Sequence, residues 1–176
     1  ISALPSKFAW IANGFGLPES VEATVPPRHR AVFDNARAAD QRIIVYAGAH
    51  GIPNALAAVI DAATLLNDDG YDDIVFVLIG EGDQKYALEK SVSLRKLGNV
   101  HFLDHVDRPA LLAMLAWGDV GLATVRDSKL YRYGLSLNKL FEYMGAGMPV
   151  IFSANTDYDP VSEAQCGLTI PAENPR

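Results

Sequence analysis

Lys139 and Glu142 stand three positions apart in the stretch YGLSLNKLFEYMGAGMPVI, residues 133–151. On a helix that spacing puts an ammonium and a carboxylate on one face, and Gly134, Ser136, Leu137 and Asn138 lead into them. Gly134 frees the backbone, Ser136 is a candidate N-cap, and Asn138 and Lys139 fall in the first turn. There, helix N–H groups and a cation can together hold an anion such as a diphosphate. A lysine is otherwise poorly placed at a helix start, where the macrodipole disfavours positive charge. An anionic ligand would offset that cost. One turn further in, the Glu142 carboxylate can accept hydrogen bonds from two vicinal hydroxyls, as a ribose presents them. The plainer alternative is a surface pair between Lys139 and Glu142, contributing on the order of tenths of a kcal/mol.

Upstream lies a basic loop. From Arg126 to Lys139 there are four basic residues, with Lys129 and Arg132 between them, and only Asp127 against them. From Asp61 to Gln84, by contrast, there are seven acids and no Lys or Arg. The basic island suits a small anion, although a solvated surface is the usual fate of such side chains. Gly48 and Gly51, in GAHGIPN, would let backbone N–H groups approach a phosphate at the start of the next helix. Their spacing matches neither a dinucleotide-binding GxGxxG nor a Walker loop, and such glycines more often mark just a tight strand-to-helix turn. His50 between them is either solvated or a hydrogen-bond donor to a phosphate or sugar hydroxyl. Gly80-Glu81-Gly82 repeats the turn, but Glu81 and Asp83 make it unsuited to phosphate. It is read as structural or as lining a base pocket.

The elements that must position these residues alternate. RIIVYAG (42–48) and DIVFVLIG (73–80) are continuous apolar runs, as expected of parallel strands covered on both faces. A helix follows each. The first has Asn54 as its expected N-cap and Leu56, Val59, Ile60, Ala63 and Leu66 at helical spacing. The second carries Tyr86, Leu88, Val92, Leu94 and Leu97 and ends near Gly98. NVHFLDHV, a short helix through Leu111 to Leu115, DVGLATV, the helix bearing Lys139, the strand MPVIF, a turn at 160–165 and an edge strand GLTIP complete the pattern. Such alternation predicts an α/β fold with a doubly wound, Rossmann-like parallel sheet. Its ligands bind beyond the carboxyl ends of the strands, at loops 48–54, 80–84, 103–107 and 124–138. A short helix over 32–39 is the one element expected in residues 1–40. That region otherwise reads as an interdomain linker with part of a strand, leaving 41–176 as the binding domain.

Composition narrows the classes. A net charge of -6 argues against sequence-independent nucleic-acid binding, which needs basic groups along a phosphate backbone. A single cysteine, Cys166, rules out an intrachain disulfide, and no apolar run approaches the roughly 20 residues that span a bilayer. A cytoplasmic setting is expected, with peripheral membrane association left open for the full-length protein. The histidines and aspartates lack metal-site spacing, so no metal or other cofactor is predicted. The chain starts at Ile1 and ends on Pro175-Arg176 directly after an apolar segment. A fragment of a longer protein, truncated at its carboxyl end, is therefore expected.

GLSLNKLFEYMGAGMPVI is similar to the donor-site signature of retaining glycosyltransferases with the GT-B fold (group 1, family 4 type), in its SPNKLFEYMAAGKPVI variant. YAGAHGIPNALAAVIDAA resembles the family's glycine loop and helix, VLIGEGDQKYALEKSV its second strand and loop, NVHFLDHVDRPALLAML its base-pocket segment, and IANGFGLPE its connection into the donor domain. By that resemblance Glu142 would bind the ribose hydroxyls. The backbone of Ser136, Leu137 and Asn138, with Lys139, would hold the diphosphate, and Leu103, His105 and Val106 would meet the base. Gly48, His50 and Gly51 would face the phosphates or sugar. Many members carry a second glutamate eight positions before the ribose-binding one, where this chain has Gly134, and an Arg and a Lys in the first glycine loop. Their absence shifts the burden of gripping the distal phosphate onto Lys139, Arg126 and Arg132. The resemblance implies a domain that binds a nucleoside diphosphate sugar, UDP-linked, for transfer to a glycan or lipid-linked acceptor held by a missing amino-terminal domain. A nucleotide-sugar epimerase and a non-catalytic nucleotide-binding module are the alternatives.

Overall fold

The computed structural model describes Gly14, residues 23–133 and residues 135–176, the side chains of Arg132 and Tyr133 aside. Six strands form the sheet: β1 (Arg42–Ala47), β2 (Ile74–Ile79), β3 (Val100–Leu103), β4 (Val120–Thr124), β5 (Val150–Ser153) and β6 (Gly167–Ile170). Their order is β3-β2-β1-β4-β5-β6 and every neighbouring pair is parallel. This is the doubly wound sheet that the alternation predicts, with β6 on its edge.

The apolar runs are continuous because helices cover both faces. On one face α1 (Pro27–Ala38), α4 (Arg108–Leu115), α5 (Asn138–Gly145) and α6 (Pro160–Glu163) bury Phe33, Met114, Leu140 and Val161 against Ile43, Val45, Val75 and Val77. On the other, α2 (Leu56–Asp68) and α3 (Lys85–Arg95) pack Val59, Ile60, Leu88 and Val92 against Tyr46, Phe76 and Leu78. At roughly 25 cal/mol per Å² of apolar surface, these two layers dominate the folding energy. No helix among the described residues is long and apolar enough to cross a membrane.

Four local expectations change. Helix α1 begins at Pro27 rather than Val32, since proline is well suited to a first helical turn, where its missing N–H costs nothing. The N-cap of α2 is Ala55, in the left-handed region at φ 49°, so the Asn54 side chain does other work. Helix α3 stops at Lys96, itself left-handed, before Gly98 is reached. Tyr86 and Leu94 lie on its outer side, 76% and 74% exposed, so only Leu88, Val92 and Leu97 of the expected stripe are buried.

The order of the strands reverses direction between β1 and β4, and there the ladder is short. Only Ile44 with Val120 and Val45 with Gly121 are paired, whereas β1 and β2 pair along their whole length from Arg42 to Ala47. Beyond Gly121 the strands part, which opens a crevice at their carboxyl ends.

Candidate functional site

That crevice is a cleft of about 350 Å³. Its floor is the end of β1 and β2, at Ala47, Gly48 and Ile79; one wall is His105, Val106 and Leu111; the other is the entry to α5, from Ser136 through Lys139 to Glu142. The cleft thus gathers Gly48, His105, Val106, Ser136, Leu137, Asn138, Lys139 and Glu142 from three separate segments of the chain. Leu137, not Ser136, is the N-cap of α5, and no side chain of the described residues caps that end.

Lys139 points back across the cleft floor. Its Nζ lies 3.3 Å from Oδ1 of Asn54 and 4.0 Å from the centroid of the Tyr46 ring, within cation–π range. A Cβ at Gly48 would come within 3.0 Å of the same Nζ, so glycine is what lets the ammonium reach this position. Burial pushes the Lys139 pKa down to about 7, and the Glu142 charge opposes it only in part. Much of the water has been removed from around an ammonium that no carboxylate of the described residues touches.

The Glu142 carboxylate is turned toward α4, 3.6 Å from Nε of Arg108, with its side chain 20% exposed. The surface pair between Lys139 and Glu142 is replaced by this cross-helix pair. Arg108 is a site neighbour that sequence reading missed; its place next to Pro109 at a helix start gave no hint of it. The wall that bears His105 is pinned from behind. Asp104 accepts from Lys85 at 2.7 Å, its carbonyl meets Nε2 of His29 at 2.9 Å, and Asp107 caps α4 through the N–H of Ala110. Glu81 shares the Lys85 ammonium at 2.7 Å, which settles that acid into a structural role.

Four expected site residues lie elsewhere. His50 is fully buried against Tyr46 and the edge of Phe102, on the α2 and α3 side of the sheet. Its backbone N–H is bound to the carbonyl of Glu81 at 2.7 Å, which turns the ring inward, away from the cleft. Leu103 is 1% exposed and forms core beneath the wall, because alternate residues of a strand face opposite sides. Gly51 and Arg126 line a separate hollow near Gln84 and Glu173. The side chain of Arg132 and all of Gly134 fall outside the described residues.

The family model for glycosyl transferases group 1 matches residues 41–176. The chain belongs to the group 1 glycosyl transferases. In sequence it is 36% identical over 83 residues to WcaI of Escherichia coli (strain K12), by name a colanic acid biosynthesis glycosyl transferase, a match covering 47% of this chain and 20% of that protein. In structure this group 1 chain is similar to Anabaena Alr3699/HepE in complex with UDP and glucose, with a TM-score of 0.60 and 16% identity, over 86% of this chain and 40% of that one. It is also similar to the C-terminal domain of the group 1 protein LpcC from Francisella tularensis, with a TM-score of 0.63 and 18% identity, over 86% of this chain and 78% of that one. These likenesses establish the fold, a Rossmann-like α/β domain of the GT-B type.

Proposed function

We propose that this chain is the donor-binding domain of a retaining glycosyltransferase, which moves a sugar from a nucleoside diphosphate sugar, UDP-linked, to a glycan or lipid-linked acceptor held by a further domain. The observation that carries the reading is the half-buried ammonium of Lys139, which no carboxylate of the described residues pairs. It stands at a helix start over the switch-point cleft, one turn ahead of a carboxylate. The UDP in the HepE complex supports the choice of nucleotide.

In this reading the diphosphate lies against the start of α5 and Lys139, the ribose hydroxyls bind the Glu142 carboxylate, and the base meets His105 and Val106. Glycosyl transfer expels a nucleoside diphosphate, so charge grows on its distal oxygens as the glycosidic bond breaks. Lys139 and the helix N–H groups are preorganised where that charge develops, the arrangement that contributes most to such catalysis. Catalysis then needs no metal from this domain. The acceptor is positioned from outside the cleft, so the chain alone binds donor without turning it over, in the cytoplasm.

Isothermal calorimetry of the chain with UDP, GDP and ADP tests the proposal. Saturable binding, tightest for UDP, is expected. No saturable binding to any of the three sinks the nucleotide reading.

A further inference from the structure

Lys139 is held by a device that none of its expected roles includes. Asn54 donates through Nδ2 to the carbonyl of Ala49 at 2.9 Å, and the Tyr46 hydroxyl donates to that same carbonyl at 2.8 Å. One loop carbonyl therefore orients both groups that touch the ammonium. Because the NH₂ of Asn54 is committed to Ala49, its oxygen must face Lys139. The backbone carbonyl of Asn54 in turn accepts the Thr124 hydroxyl at 2.5 Å, which ties the β1–α2 loop to the end of β4. Asn54 thus joins three elements across the crevice.

Among the described residues, the groups facing the ammonium are neutral on every side but one. From β1 comes the Tyr46 phenol, which burial keeps protonated. From the following loop comes His50, which burial keeps uncharged, its pKa lowered to about 4. From β4 comes Thr124, without charge, while Arg126 beyond it lines the separate hollow. On its own helix stands Glu142, drawn toward Arg108. An aspartate at position 54 would complete an internal ion pair, yet the chain has the uncharged amide.

We propose that Asn54 is a positioning residue for Lys139, aiming its ammonium into the cleft without a counter-charge so that the diphosphate of the donor supplies one. The inference rests on the donor-binding reading. It implies that binding draws a proton onto Lys139. The sign follows from linkage: affinity is complete where free Lys139 is already charged, below about pH 7, and falls about tenfold per pH unit above it.

The test follows Lys139 by NMR, through the shift of its Cε and Nζ, and UDP affinity by calorimetry from pH 6 to 9. In the unsubstituted chain, affinity falls with rising pH. Asn54→Asp raises the Lys139 titration by about one pH unit or more, flattens the affinity profile, and weakens UDP by roughly tenfold at pH 6 because the site has its own anion. Asn54→Ala keeps the pH slope but loses roughly threefold or more at every pH, and it serves where the aspartate variant does not fold. UDP binding with an unshifted Lys139 titration in Asn54→Asp, or with unchanged affinity in Asn54→Ala, overturns the inference alone. A shifted titration in a chain that binds no UDP overturns the donor-binding reading, and the role given to Asn54 with it.

Discussion

The hydroxyl of Tyr143 accepts the backbone N–H of Ala47 at 2.8 Å, across the gap where β1 and β4 have parted. The same hydroxyl donates to the carbonyl of Leu122 at 3.2 Å, and the side chain packs against Gly121, where a Cβ would stand 2.5 Å from Cγ. One phenol from α5 thus replaces the ladder bonds that the diverging strands cannot make. It also fixes the helix that carries Lys139 and Glu142 to the floor that carries Gly48.

Tyr143→Phe keeps the ring and removes only the bridge, leaving the buried N–H of Ala47 without its acceptor. A cost of about 1–3 kcal/mol in folding stability is expected, together with faster amide exchange at Ala47 than at its neighbours in β1. Urea denaturation and hydrogen exchange check it; an unchanged midpoint with Ala47 still protected would show that the strands hold without the phenol.

Gly82 is set by a close approach of two loops. His50 N–H is bound to the carbonyl of Glu81 and Gln84 N–H to the carbonyl of His50, at 2.7 and 2.9 Å. A Cβ at position 82 would fall on the His50 backbone, 2.8 Å from its nitrogen and closer to its carbonyl. Gly82→Ala must therefore separate the loops after β1 and β2, at a cost of roughly 1–3 kcal/mol or more. Thermal or urea unfolding reads this directly, and a variant as stable as the parent would rule the contact out.

How much of this was legible in the sequence follows from the range of each interaction. Strands β1 and β2, their helices and the edge position of β6 follow from local periodicity, since RIIVYA and IVFVLI can only be buried on both faces. Lys139 and Glu142 are visible because a cation at a helix start conflicts with the macrodipole. Asn54 was hidden, because an asparagine before a helix reads as a cap, and only the fold reveals that Ala55 caps and Asn54 reaches an ammonium 85 positions away. His50 misled for a related reason: a loop histidine between glycines reads as exposed, whereas packing of the loop onto Glu81 turns the ring under the sheet. Tyr143 drew no reading from the sequence, as nothing local marks the place where a ladder fails.

His50 makes stability depend on pH. Its pKa is lowered from 6.5 to about 4, first by burial and then by the Lys85 charge, and neither ring nitrogen has a hydrogen-bonding partner among the described residues. The unfolded chain therefore binds a proton before the folded one does. Its contribution is complete above pH 6.5 and is lost as pH falls from there toward 4. Between pH 7 and pH 5 this single residue should remove about 2 kcal/mol. His50→Leu removes that component, so the parent should lose more stability over this interval than the variant does. Parallel urea curves at the two pH values measure the difference, and equal losses would mean that the ring charges freely where it lies.

Glu142 gives the sharpest test of the nucleotide reading, because its two roles separate. As a structural group it leans on Arg108 at 3.6 Å, with the arginine side chain 57% exposed. A pair so open to water contributes no more than about 1 kcal/mol, so Glu142→Ala should leave the melting temperature nearly unchanged. As a ribose ligand the carboxylate accepts from two hydroxyls. Loss of one charge-assisted bond costs about 1.5–3 kcal/mol, on the order of tenfold to a hundredfold in Kd. The parent should therefore prefer UDP to 2′-deoxy-UDP by that margin, and Glu142→Ala should bind the two alike, each weakly. Calorimetry with both nucleotides decides the matter: a preference that survives in the variant places the ribose elsewhere, and a variant that unfolds with its affinity assigns Glu142 to the scaffold.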